Sequence, residues 1–449
     1  MNNPRRTKLL RTTVAIGVLG AFSLAATACS PAAQQNQGAS GDKVVVKVRV
    51  WDEQVQKAYD KSFEEFEKAN PNIDAQTVYV PYDSYFDKLR TDVAGGQGDD
   101  AFMINGSYIE PYIANGTLME IGDDFDSSDW LEAAVKQYTY DGKLYGVPQL
   151  TDGGIALYYN EDLLSKAGLK PEDLQNLKWS PDGNGDTLTP TAKKLTVDAA
   201  GVAADQPGFN GDNPGAWGYS AAQDLQGIYY NFIGSNGGQF QDDNDKFVFA
   251  SPESTQAFEY LVKLINTDKV SPAASNTNDD GDFTKDQFLQ GKIAMFQSGT
   301  YNLKNVAEGA KFKWGIAPLP AGPAGQVSVV NSIITAGNAK SAHPEETKKV
   351  LQWLGSADGA KFIGAEGAAL PAVKSAQPAY NDYWKAQDVD PSQFAKQGEM
   401  KALNPPAGSN YSAAFNAWQP IFNEIFLGRT PVGPGLKQAE DAANKAMGG

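Results

Sequence analysis

The stretch Lys143–Leu169 constrains the fold most strongly, because it combines a buried strand, a bounded helix and a flexible approach to both. Ile155–Tyr159 is an apolar, aromatic run of strand length. Asn160 stands where a helix cap belongs, and Gly168 stands where a helix ends most easily. Gly and Pro residues before the strand allow tight changes of direction. The stretch therefore predicts a chain that leaves one α/β lobe and enters another.

An alternation of strand and helix patterns precedes that stretch. It predicts strands at Val44–Val50, Ile73–Val80 and Ala101–Ile104, with a helix in each interval. This order favours a parallel sheet with right-handed crossovers. Ligands of such sheets collect beyond the carboxyl ends of the strands, and that rule points to the segments Trp51–Gln54 and Asn105–Tyr108.

The rest of the chain mixes helix and strand patterns in the same way. Residues 170–216 are rich in Pro, Gly, Asn and Asp and are interpreted as a surface elaboration. Val327–Thr335 is interpreted as one strand. The other predicted elements are helices at Leu225–Gly238, Ser251–Asn266, Phe283–Gln290, Pro344–Leu354 and Tyr411–Phe426 and strands at Ile293–Phe296 and Phe312–Leu319.

Chain length and charge limit the class of protein. A chain of 449 residues exceeds one ordinary core, so two domains are expected. The formal net charge of −16 argues against nucleic acid as a partner and gives no attraction to anionic lipid. A solvated acidic surface is the simplest interpretation of this charge.

Residues 1–28 have the composition of an export signal. A basic start is followed by the apolar run Val14–Ala25, which is too short for a lasting membrane span. Cys29 is the single cysteine and follows small residues, an arrangement that resembles a bacterial lipoprotein signal. The resemblance implies acylation of Cys29 and an anchor at the extracellular face of the bacterial cell membrane, with an unmodified thiol as the alternative. The small, polar residues 29–42 predict a flexible tether.

Few residues are present for most kinds of catalytic or metal chemistry. With His343 as the single histidine and one cysteine, zinc is nearly excluded, and Ser-His-Asp or Cys-His catalysis is disfavoured. The acidic segments 182–186 and 279–282 begin like calcium loops but lack a complete ligand pattern, so turns are favoured. No phosphate-binding Gly-rich loop is visible, and we expect no cofactor and no metal. A glycoside hydrolase stays an alternative, because 54 acidic residues would place some pair at glycosidase distance in any fold.

Four short patterns stand out in the chain: GVP at Gly146–Pro148, YNEDLLSKAGL at Tyr159–Leu169, FLQGKIAMFQSG at Phe288–Gly299 and GAALP at Gly367–Pro371. In this order they resemble the maltose-binding-like group of extracellular solute-binding proteins, family 1, which serve carbohydrate ABC importers. The resemblance covers most of the chain after residue 43. It departs from the family in residues 170–216 and at Asn331 and Ser332, where relatives often carry Gly-Gly.

The resemblance implies a two-lobed α/β fold of the type II periplasmic-binding-protein class, with three interlobe crossings and the ligand in the cleft. The implied lobes are residues 43–152 with 321–372 and residues 153–320 with 373–449. The implied protein is a monomer that performs no catalysis and delivers its ligand to a membrane permease with a separate ATPase. An oligosaccharide is the expected ligand, and a sugar-binding adhesin or sensor without transport is the alternative.

A sugar site needs flat aromatic rings for the weakly apolar sugar faces and polar groups for the hydroxyls. By the resemblance, Tyr301 matches the position that stacks on sugar from the second lobe. For each aromatic residue the alternative is an ordinary core position. The candidate sugar-binding residues are Trp51, Glu53, Gln54, Asn105, Tyr108, Asp152, Trp217, Gln226, Tyr229, Tyr230, Tyr301, Asn331 and Tyr411.

Overall fold

The structure is a computed structural model that describes residues 43–398 and 401–448. Lys43–Gly449 form one compact unit. The predicted signal, tether and acylated Cys29 lie outside the described residues. Within the described ranges, no helix combines the length and the apolar character needed to cross a membrane.

The strands are short, and most of them belong to two sheets. In chain order they are β1 (Val44–Val50), β2 (Ile73–Tyr79), β3 (Ala101–Asn105), β4 (Thr139–Tyr140), β5 (Lys143–Leu144), β6 (Val147–Thr151), β7 (Ala156–Asn160), β8 (Val197–Asp198), β9 (Pro214–Ala216), β10 (Met295–Ser298), β11 (Trp314–Ala317), β12 (Val327–Val329), β13 (Ser332–Gly337), β14 (Leu370–Pro371) and β15 (Lys401–Leu403).

Helices fill most of the intervals between these strands. The α-helices are α1 (Glu53–Ala69), α2 (Tyr82–Ala94), α3 (Glu110–Ala114), α4 (Glu132–Gln137), α5 (Glu161–Lys166), α6 (Leu188–Leu195), α7 (Tyr230–Ser235), α8 (Pro252–Asn266), α9 (Ala274–Thr277), α10 (Phe283–Leu289), α11 (Leu303–Gly309), α12 (Pro344–Leu354), α13 (Ala357–Ala365), α14 (Gln377–Ala386), α15 (Ser392–Gly398), α16 (Tyr411–Phe426) and α17 (Val432–Met447). Single 3₁₀ turns occupy Pro171–Leu174, Thr300–Asn302 and Lys374–Ala376, and a π-helical turn occupies Leu225–Tyr229.

The first sheet has six strands in the order β14-β6-β13-β3-β1-β2. β1 pairs in parallel with β2 and β3, as the strand-helix-strand pattern predicts. β13 is antiparallel to both β3 and β6, so β3 and β6 end at the same edge of the sheet. In this register Asn105 lies opposite Ile333, and Thr151 lies opposite Ser332.

Both faces of the first sheet are covered, because neighbouring residues of β3 belong to different hydrophobic clusters. Ala101 and Met103 pack in one cluster, and Phe102 and Ile104 pack in the other. This alternation follows the two-residue period of a strand.

The second sheet has three antiparallel strands in the order β10-β7-β11. Its central strand β7 is buried throughout, and its residues alternate between two further clusters, with Leu157 in one and Tyr158 in the other. β10 runs against β7 with Ser298 opposite Ala156, so the segment after β10 lies where the chain enters β7. The chain passes from the first sheet to the second between β6 and β7.

Local sequence signals explain where the helices begin. The Asp52 carboxylate accepts the backbone N–H groups of Gln54 and Val55 and thereby caps α1. The Asn160 side chain accepts the N–H of Leu163 at 3.0 Å, which confirms the predicted cap of α5. Ser251 accepts the N–H of Ser254 at the start of α8.

One prediction of secondary structure was wrong. The predicted single strand Val327–Thr335 is two strands in different sheets, because β12 pairs with β15 and β13 joins the first sheet. The predicted helix at Leu225–Gly238 is confirmed: it consists of the π-helical turn and the short α7 directly after it, and it ends before Gly237 and Gly238. Residues 170–216 contain α6, β8 and β9, and Trp179 and Leu188 in this segment are core residues rather than surface ones. The predicted lobe boundaries and number of crossings stay predictions.

Candidate functional site

The carboxyl ends of β1, β2, β3 and β6 supply several polar and aromatic groups to one region. Asn105 ends β3, is 3% exposed, and accepts the N–H of Ser107 on its side-chain oxygen at 3.1 Å. Asp152 follows β6, which ends at the same edge as β3. The topology therefore gathers these groups, as the rule for parallel strands predicts.

Tyr82 is the first residue of α2, just after β2, and its aromatic ring is partly exposed to solvent. The residue is 49% exposed, and its hydroxyl lies beside the Asn105 side chain. Burial of the hydroxyl, with the nearby charges of Asp224 and Asp152, raises the pKa of Tyr82 to about 12. The phenol is therefore neutral and can donate a hydrogen bond at neutral pH.

Asp152 lies where the chain leaves the first sheet. Its backbone N–H donates to the carbonyl of Asn331 at 2.8 Å. The Thr300 hydroxyl donates to its carboxylate across a long 3.4 Å. Burial raises the pKa of Asp152 to about 7, and the charge of Asp52 adds to the rise. The carboxyl is thus held poorly solvated, with free acceptor capacity.

Asp224 approaches from the region of the second sheet. It caps the π-helical turn by accepting the N–H of Gly227 at 2.8 Å. The side chain is accessible to solvent, yet the protein atoms around it limit its hydration and raise its pKa.

Tyr301 lies in the 3₁₀ turn after β10. Its ring rests on Gly299, since a Cβ at that position would come within 2.3 Å of a ring carbon. Burial raises the pKa of Tyr301, and the charges of Asp224 and Asp152 act in the same direction. Tyr82 and Tyr301 are thus each close to both acids. We call Tyr82, Asn105, Asp152, Asp224 and Tyr301 the cleft cluster.

An aromatic wall adjoins the cleft cluster. Trp51 packs edge-on against Tyr82 and Tyr85, with ring centroids 5.9 and 5.0 Å apart. Tyr108 stacks on Phe86 at 3.7 Å and meets the ring of Tyr411 edge-on at 5.0 Å. Tyr411 starts α16 and belongs to the cluster that packs on the second sheet, so this contact joins the two parts of the structure.

The predicted amides and Glu53 lie around the same region with different partners. Gln54 donates from its side-chain nitrogen to the side-chain oxygen of Asn305 at 3.1 Å. The Asn331 side-chain oxygen accepts from Gln137 at 2.9 Å. Glu53 is exposed, and Gln226 is half-buried.

Tyr229 and Tyr230 lie in the core, with 2% and 5% exposure. The Tyr229 ring packs with centroids 5.5 Å from those of both Phe258 and Phe422. The Tyr230 hydroxyl donates to the carbonyl of Asn404 at 2.7 Å. Packing accounts for both side chains, so a direct sugar contact by either stays a prediction.

Trp217 lies elsewhere. Its backbone N–H donates to the carbonyl of Lys292 at 2.8 Å, and its side chain packs against the cluster that contains Phe288 and Phe296. The structure therefore does not bring Trp217 to the cleft cluster.

Sequence reasoning missed Tyr82, Asp224 and Thr300, which the structure places among the candidate site residues. Tyr82 follows the carboxyl end of β2, so the rule that selected the loops after β1 and β3 could have found it. Asp224 carries the signal of a cap before Leu225. Thr300 stands next to Tyr301 and carries no signal of its own.

Among the described residues, no group of three or more His, Cys, Asp or Glu side chains is arranged so that it could hold a metal ion. In segment 182–186, the Asp182 carboxylate accepts from Asn184 through both its backbone and side-chain nitrogens. Those bonds are typical of an Asx turn.

Residues 51–361 match the profile of the bacterial extracellular solute-binding proteins. This chain belongs to that family, which confirms the resemblance seen in the sequence. Its members bind solutes and are not enzymes, so the glycoside hydrolase alternative is set aside.

Three curated relatives span most of the chain. A putative binding protein of Brucella abortus is 28% identical over 85% of this chain and 87% of its own length. The maltodextrin-binding protein MdxE of Bacillus subtilis is 27% identical over 71% of this chain and 70% of its own. A maltooligosaccharide ABC transporter solute-binding lipoprotein of Streptococcus pneumoniae is 24% identical over 98% and 96%.

Two solved structures share the fold. UspC of Mycobacterium tuberculosis is 51% identical, with a TM-score of 0.71 over 90% of this chain and all of that one. The ABC substrate-binding protein Lmo0181 of Listeria monocytogenes, in complex with cycloalternan, is 25% identical, with a TM-score of 0.75 over 91% and all of that chain. The fold is thus the two-lobed α/β fold of type II periplasmic binding proteins, as the sequence predicted.

Proposed function

We propose that this protein captures an oligosaccharide in the cleft between two lobes and delivers it to the permease of a carbohydrate ABC importer. The cleft cluster carries the proposal. It places a solvent-exposed aromatic ring beside neutral phenol donors and carboxylate acceptors. A sugar needs both, because its faces are weakly apolar and its edge carries hydroxyl groups. The names of MdxE, the pneumococcal lipoprotein and the cycloalternan complex support a carbohydrate ligand.

In this mechanism, ligand contacts favour a closed arrangement of the lobes. Tyr82, Asn105 and Asp152 are contributed by the first sheet and the segments that follow its strands, whereas Asp224 and Tyr301 come with the second sheet. A ligand that contacts both groups binds the closed state better than the open one, and only that difference can shift the population. The closed form then docks on the permease, and a separate ATPase supplies the energy.

A thermal-shift panel of mono- and oligosaccharides tests the proposal on the compact unit, residues 43–449. A bound oligosaccharide at 100 times its Kd should add about 2.7 kcal/mol to the free energy of unfolding. Tyr82→Ala and Tyr301→Ala should each weaken the affinity by about tenfold, because each loses a ring in the cleft. Val45→Ala, which removes another exposed large side chain at the opposite end of the first sheet, is the control and should bind as the wild type does. Stabilisation by peptides alone would contradict the proposal.

We propose in addition that Cys29 is acylated and holds the protein at the extracellular face of the membrane. The small residues before Cys29 and the lipoprotein name of the pneumococcal relative support this. Cys29→Ser should release the protein from the membrane fraction into the medium, and labelling with a radioactive fatty acid should be lost. Equal membrane retention of both forms would contradict the anchor.

A further inference from the structure

Acidic segments from two parts of the molecule meet at one rim of the cleft. Asp52 and Glu53 stand at the start of α1, and Asp83 stands at the start of α2. Across from them, Asp280 and Asp282 precede α10, and Asp286 lies on it. We call these six residues and Lys285 the acidic rim.

The two sides of the acidic rim are in direct contact. A Cβ at Gly281 would lie 3.4 Å from one carboxylate oxygen of Asp83. The loop before α10 is therefore packed on the first turn of α2. Burial raises the pKa of Asp83, and the charges of Asp282 and Asp280 raise it further. Like charges face each other here, and this contact opposes the approach of α10 to α2.

Lys285 on α10 is placed to offset that repulsion. Its amine donates to Asp282 at 2.6 Å, lies 3.8 Å from Asp286, and belongs to a side chain that is 19% exposed. Its charge also acts on the far side of the rim, because it favours the ionised form of Asp52 and is itself favoured by Glu53. Among the described residues, neither Glu53 nor Asp83 has an ion pair of its own with a cation.

We infer that Lys285 is a positioning residue that sets ligand affinity by acting as the shared counter-ion of the acidic rim when the lobes close. The inference rests on the proposed function, since it concerns closure around the same ligand. An opening that separates α10 from α1 would leave Lys285 with Asp282 and Asp286 but remove it from Asp52 and Glu53. Its net attraction across the rim therefore favours closure, and closure is what the ligand requires.

The test is calorimetric titration of the full chain with the best oligosaccharide of the panel, at roughly 0.01 M and 1 M salt, where charges at the surface are weakly and strongly screened. Lys285→Gln should raise the Kd roughly fivefold at low salt, the size of a good partly exposed ion pair. The difference should nearly vanish at high salt. Lys285→Arg should restore the wild-type Kd, and Asp83→Asn should lower it at low salt.

Lys361→Gln is the matched control. Lys361 is bonded at 3.0 Å to Asp358 three residues before it on its own helix, as Lys285 is to Asp282, but it lies on α13. It should leave the Kd unchanged at both salt concentrations. An effect of Lys285→Gln that ignores salt and is not rescued by arginine would show a merely structural role and overturn the inference. A wild type that binds no sugar would instead overturn the proposed function.

Discussion

Asp152 is a candidate site residue that also lowers the stability of the folded chain at neutral pH. It lies at the exit of β6, where the chain leaves the first sheet, with one long hydrogen bond from Thr300. Burial raises its pKa from an ordinary value near 3.8 to about 7. A carboxyl group with a strongly raised pKa in a cleft is typical of a functional site.

A measurable pH dependence follows for Asp152. Because the pKa is higher in the folded than in the unfolded state, the folded chain binds more protons between about pH 4 and 7, and its stability falls as the pH rises through that range. Asp152→Asn cannot ionise and should escape this loss. It should match the wild type near pH 4 and exceed it by up to roughly 4 kcal/mol at pH 8, since each pKa unit corresponds to about 1.36 kcal/mol.

Unfolding by urea at several pH values measures this difference. A difference for Asp152→Asn that stays constant from pH 4 to pH 8 would contradict the assigned pKa shift.

At the scale of elements, the regular part of the fold was predictable and the switches between sheets were not. The valine alternation of β1 and the caps at Asn160 and Ser251 are local signals, and they predicted elements that the structure confirms. Val327–Thr335 reads as one apolar run, but a break at Val330 and Asn331 sends its halves to different sheets. Pairing partners far along the chain decide that outcome, and a local pattern does not contain them.

The candidate site was predictable to the same degree. Residues that follow parallel strands, such as Asn105 and Asp152, could be found from topology. Tyr229 could not be separated from Tyr230 or from the core, because a helical stretch rich in aromatics predicts burial and ligand contact equally. Only the packing of Phe258 and Phe422 around its ring tells which surroundings it has.

The turn after β10 offers a test of how an element positions a side chain. Gly299 has φ −87°, so an alanine is tolerated by the backbone, but its Cβ would collide with the Tyr301 ring. Gly299→Ala should therefore move that ring and weaken oligosaccharide affinity by about tenfold with little loss of thermal stability. Gly433→Ala, where the nearest atom would be 3.7 Å away, is the control. Unchanged affinity for Gly299→Ala would show that Tyr301 does not contact the ligand.

At the scale of the whole molecule, the proposed function depends on two sheets that contribute different parts of one candidate site. The first provides Tyr82, Asn105 and Asp152, and the second brings Asp224 and Tyr301. Direct contacts between the two parts, such as Gln54 with Asn305 and the rings noted above, lie at the rim of this site. A ligand that spans the gap would add contacts that neither part makes alone.

A groove away from the cleft is a second concave surface on which a ligand could be sought. It measures about 500 Å³ and lies beside β11, between Trp314 and the segment that leads into α15. Its presence means that binding alone does not locate the ligand.

A crystal structure of the protein with the best oligosaccharide of the panel tests the central claim most directly. The account predicts a sugar ring against Tyr82 or Tyr301, with hydroxyls bonded to Asp152 and Asp224. An oligosaccharide bound in the groove beside β11, with the cleft cluster empty at saturating ligand, would contradict it.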